Sequence, residues 1–187
     1  MSTRPDLIGA VASAQALGSV ALLAGGAGSL PVLLGHTGSM GGTTVAVLAL
    51  VIFAVPFAWF AGPRRAWYRE RLAAAGPAPR DAVVIAADDT FQRVTRPLTP
   101  VLVGAAVIEL LVAYGTGVPI GLALAGVGAG LLSQARWLAR QERSQGIRLL
   151  CPSAPGRVAA DDPHLDEYRA VPFYTLSEDP SSDPSTS

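Results

Sequence analysis

Half of the 187 residues are apolar and 15% are charged, with zero net charge and a mean hydropathy of +0.40. A soluble domain of this size carries about 25% charged residues, so the composition excludes an ordinary water-soluble fold. A single cysteine, Cys151, excludes an internal disulfide and a cysteine metal cluster.

The missing charge is concentrated in two regions. Residues 7–61 contain no Asp, Glu, Lys or Arg, and residues 97–135 contain only Glu109. About 20 apolar residues cross a bilayer core of about 30 Å as a helix, so each region has room for two crossings. In lipid the backbone must satisfy its own hydrogen bonds, which favours helices. The expected fold is an all-α polytopic membrane protein: four transmembrane helices as two hairpins, followed by a disordered C-terminal tail.

In chain order, residues 1–61 form the first hairpin, with spans at about 7–28 and 43–61. Arg4, Asp6 and the early Ala12-Ser13-Ala14 do not match a cleavable signal layout. Small residues recur four apart at Ala10, Ala14 and Gly18, then at Ala21, Gly25 and Ser29. Strips of this kind let helices approach closely in lipid. Leu30 to Leu34 is placed at the membrane interface, and the glycine-rich run Gly35–Gly42 reads as a connection where bulk at Gly38 is tolerated. Thr43 or Thr44 is the expected N-cap of the second span, and Pro56 a source of bending near its far end.

Residues 62–96 form a basic loop. Arg64, Arg65, Arg69 and Arg71 flank Trp67 and Tyr68, close to Trp59 and Phe60. Arginines beside a span set topology first and attract anionic headgroups second. Asp88-Asp89 is read as helix-initiation chemistry and Asp162-Pro163 as a turn. Residues 97–135 form the second hairpin, with spans at about 98–114 and 119–135 joined at Gly115–Val118. Within the last span Gly126, Gly128 and Gly130 superficially resemble a dinucleotide loop. They lack its preceding strand and spacing, so Gly126-x-x-x-Gly130 is read as a packing strip, alongside Gly18 and Gly25.

Residues 136–187 are expected to continue as helix to about Leu150, then to form an acidic disordered tail. The run Ser177–Ser187 has no apolar residue. Seven arginines in residues 64–96 and four in 136–148, against none in the two other connections, place both termini in the cytoplasm.

Glu109 is the one ionisable residue inside a span. An isolated charge there costs at least about 2.5–3.5 kcal/mol, so a protonated carboxyl bonded to Gln15, Ser19 or Ser133 competes with a proton or cation site. His36 and His164 lie in different segments, and no Gly-x-Ser-x-Gly, His-Glu-x-x-His or paired cysteine occurs. No catalytic residue, cofactor or metal is expected. The expected role is a non-catalytic accessory or scaffold subunit in the cell membrane. Its partners would be membrane lipids and other membrane subunits or copies of itself, not nucleic acid. The alternative is a small transporter, channel or immunity-type protein working through Glu109.

Overall fold

Leu7 to Gly28 divides where its residues change character. Leu7–Gly9 is a short strand, β1, with Leu7 and Ile8 buried, and Ala10–Gly28 is the first long helix, α1. The computed structural model describes residues 6–79, 82–153 and 173–177. A one-turn helix, α2 (Leu30–Leu33), comes after α1 and Ser29. Helix α3 spans Gly42–Ala61 and starts from Gly41, two residues before Thr43 and three before Thr44, with no side-chain cap bond. Gly62 and Pro63 break the chain into α4 (Pro63–Ala73), since Pro suits a first helical turn but not a helix interior.

The loop 62–96 holds more structure than expected: α4, a two-residue strand β2 (Gly76–Pro77) and the helix α5 (Ala87–Thr95). Asp89 falls in the first turn of α5, where a negative charge complements the helix dipole. Helix α6 covers Thr99–Thr116 and ends at Gly117 with φ 74°. Helix α7 covers Gly121–Gln145 and ends at Gly146 with φ 63°. Left-handed glycines of this kind close helices because they carry no Cβ penalty. The helix therefore stops five residues short of the expected Leu150.

Beyond Gly146 the chain departs from the all-α expectation. Ile147–Pro152 is a strand, β3, and Tyr174–Ser177 is another, β4. The sheet has the order β1-β3-β4-β2, with β1 and β4 antiparallel to β3, and β2 parallel to β4. Leu7 faces Pro152, and Leu149 faces Thr175. On the free side of β1, the Leu7 N–H donates to Val83 O and the Ile85 N–H to Leu7 O, both at 2.9 Å. Both long flanks of the sheet are therefore covered by pieces of the 62–96 segment, which limits the unpaired edge. One face of the sheet packs Leu149 and Phe173 against Leu138 of α7 and Ala10 of α1, with Tyr68 and Leu72 of α4 alongside. The tail is thus ordered at 173–177; the acidic run 178–187 and His164 lie outside the described residues.

The long helices are ordered α3, α7, α1, α6, with α7 packed against both α1 and α3, and α1 against both α7 and α6. Consecutive spans do not pack as hairpins. The two halves of the chain interleave, and the sheet lies at the end opposite the connections 34–41 and 117–120. The first connection touches the end of α6: the His36 ring Nε2–H donates to Tyr114 O at 2.6 Å, and the ring stacks on Tyr114.

Candidate functional site

Helix α7 carries small residues on two nearly opposite faces because its glycines alternate. At about 100° per residue, positions 126 and 130 share one side and position 128 takes the other. A methyl group on Gly126 would run into Phe53 O and the Pro56 ring of α3, and one on Gly130 would lie 2.6 Å from Phe60 Cβ. A methyl on Gly128 would strike Leu22 N and Gly18 O of α1. One on Gly25 would strike Gly121 O and Ala125 N, and one on Gly18 would lie 2.9 Å from Gly128 O. Gly121 was not picked out from the sequence, and Gly128 was named there only within the alternating glycines, not as a packing position. Gly38 is not the tolerant position expected, since it has φ 58° and a methyl there would fall 2.8 Å from Thr116 O.

The polar group at depth sits where α1 ends, α7 begins and α6 passes by. Glu109 Oε2 is buried without a hydrogen-bond partner, and so is the hydroxyl of fully buried Ser29. Methyl groups on Gly28 and Gly121 would fall 2.5 and 3.0 Å from Glu109 Oε2 respectively. The same point beside Gly121 is 2.7 Å from Ser29 Oγ and 2.5 Å from Gly25 O. The expected partners do not serve Glu109. Ser133 accepts from Arg65 Nη2 at 2.7 Å, and Gln15 is exposed. Ser19 lies on α1 about 15 Å below Ser29, at about 1.5 Å per residue. Ser29 escaped notice as a polar group because in the sequence it stands only as a small residue in a packing strip.

A second polar cluster lies nearer the sheet. Arg65 reaches α7 through Ser133, and Gln134 is fully buried with both amide atoms unpartnered. Arg65 thus touches α7 rather than an exposed surface. Arg64 lies 5.2 Å from the Phe60 ring centre and 5.7 Å from that of Trp67, and Arg71 lies 4.7 Å from Trp67. Arg69 is exposed.

Burial pushes the Cys151 thiol up to about 11, outweighing a hydrogen bond with Ser13. The thiol is therefore neutral at pH 8 and a poor nucleophile. Its raised value contributes stability that is intact below about pH 9 and is lost as pH rises through about 11. Alkylation of detergent-purified protein is expected to be slow at pH 8 and to accelerate steeply above pH 10. A rate at pH 8 equal to that of the urea-unfolded chain would contradict this environment.

These features define a class: a mostly helical protein in which α1, the α3–α4 segment and α6 are long and apolar enough to cross a membrane. Comparison of the chain with protein-family models, curated proteins and solved structures finds no match.

Proposed function

We propose that this chain is a non-catalytic integral protein of the cell membrane that works as an accessory or scaffold subunit of a larger assembly. The observation that carries the reading is the exposure of the flanking helices. Among the described residues, α3 buries only Val45 and α6 only Ala113. Two long apolar helices are thus free to meet lipid or other membrane helices, whereas α7 is rich in buried small residues.

In this reading α7 is a fourth span. Its first 15 residues, 121–135, carry no charge and lie between α1 and α3. Arg136, Arg140 and Arg143 make its second half polar, and its 25 residues extend about 37 Å, enough to leave the bilayer. Four crossings put β1 and β3 on one side, in keeping with their pairing. The arginine-rich segments make that side the cytoplasm.

Topology is tested in a Cys151→Ala background, because the native thiol is too unreactive to report sidedness. A cysteine at Ser39 should be modified by an impermeant maleimide in intact cells, and one at exposed Ala73 only after the membrane is opened. Labelling of position 73 from outside would reverse the orientation. The role is tested by native electrophoresis and light scattering of gently solubilised membranes. The protein should travel in a species well above its own 19.2 kDa, and a monodisperse monomer would overturn the scaffold reading.

The alternative, a small transporter, channel or immunity-type protein, draws on unpartnered Glu109. Glu109→Gln should leave cellular function and assembly intact in a scaffold. A normally assembled but inactive Gln variant would favour the alternative.

A further inference from the structure

The junction of α1, α6 and α7 brings three oxygens together. Glu109 Oε2 and Ser29 Oγ are buried and unpartnered, and both approach the same flank of Gly121 as the backbone oxygen of Gly25. Three nearby N–H groups are engaged elsewhere. Ser29 N–H is shared between Gly25 O and Gly26 O at 3.2 Å, and the N–H groups of Leu122 and Ala123 donate to Pro119 O and Ile120 O at 3.0 Å. The site lies between the C-terminus of α1 and the N-terminus of α7, where the negative end of one helix dipole meets the positive end of the other.

Two glycines make the space. A side chain at Gly28 would run into the Glu109 side chain, and one at Gly121 into Gly25 O, Ser29 Oγ and the carboxylate. No other charged residue is contributed by α1, α2, α6 or residues 121–135 of α7. The titratable groups at the adjacent loop end are His36 and Tyr114, stacked on each other.

We infer that this junction binds one monovalent cation, sodium, held by Glu109, Ser29 and the backbone oxygen of Gly25. One carboxylate among neutral oxygens balances a single positive charge, and oxygen ligands suit a hard cation. A proton competes for the same carboxylate, so binding weakens as pH falls. The inference concerns the isolated chain and stands apart from the scaffold reading.

The test is thermal unfolding of the full-length purified protein in mild detergent, with sodium chloride exchanged for choline chloride at constant ionic strength. Sodium at 100 times its Kd should raise Tm by roughly 5 °C or more, saturably, and more at pH 8 than at pH 5. Glu109→Gln should remove the rise, Ser29→Ala should shift its midpoint to higher sodium, and Gly104→Ala should leave it unchanged. Equal Tm in the two salts at pH 8 would overturn the site, as would a rise that persists in Glu109→Gln. If the Gln variant fails to fold, the Ser29→Ala titration decides, and an unchanged midpoint there rejects the site. Stabilisation by acid alone, without sodium dependence, would assign the junction to a protonated carboxyl instead.

Discussion

Gly128→Leu is expected to leave little folded protein in detergent, whereas Gly104→Leu in the same preparation should behave nearly as wild type. The contrast lies in what each position meets. A first side-chain carbon on Gly128 would collide with Leu22 N and Gly18 O of α1, which are backbone atoms that cannot rotate away. A side chain on Gly104 meets nothing within 4 Å. Overpacking a well-filled interior costs about 1–3 kcal/mol when side chains can shift, and occasionally more, so a leucine forced against backbone belongs at or above the top of that range. Gly25→Leu should match it, because Gly121 O and Ala125 N stand in the way. Gly104→Ala should gain about 0.5–1 kcal/mol, the ordinary benefit of removing a helical glycine. Size-exclusion profiles and thermal melts of the four variants check the ranking. Equal behaviour of Gly128→Leu and Gly104→Leu would mean that α7 does not lie against α1.

Leu149→Ala should destabilise the protein by about 2–5 kcal/mol, the range for truncating a buried leucine in a packed core. Leu149 is 1% exposed and packs with Ala10, Leu138 and Phe173, so one truncation loosens the starts of α1 and β3, the middle of α7 and the entry to β4 together. Phe173→Ala should cost a similar amount, although it lies in a stretch whose composition reads as a polar tail. Denaturant melts of the two single variants and the double variant test the coupling. Contacting residues should lose less together than the sum of their separate losses. Full additivity with small single effects would mean that the 173–177 segment does not pack on the sheet.

The sequence alone determined where the long helices lie. Charge-free stretches at 7–61 and 97–135 set the apolar helices to within a few residues, because exclusion of charge from lipid acts on local composition without reference to contacts. It also marked Glu109 as the exceptional side chain, and Gly18, Gly25, Gly126 and Gly130 as positions without bulk. Other features were legible and passed over. Gly146 is a helix stop, and Ile147, Leu149 and Cys151 alternate with strand period, as Phe173 to Leu176 carries the aromatic and β-branched residues that strands favour.

Only the tertiary structure decided which helix meets which. Hydropathy is nearly the same around α1, α3 and α6, so it does not distinguish a hairpin neighbour from a helix in the other half. The choice fell to backbone fit at Gly25, Gly121, Gly126 and Gly128, which joins residues far apart in sequence. The sheet is likewise non-local, assembled from strands at 7–9, 76–77, 147–152 and 174–177, each too short to be stable without the others. The surroundings of Glu109 obey the same rule. Its carboxyl could be singled out from one span, but Ser29 and Gly25 face it only because α1 ends beside the start of α7.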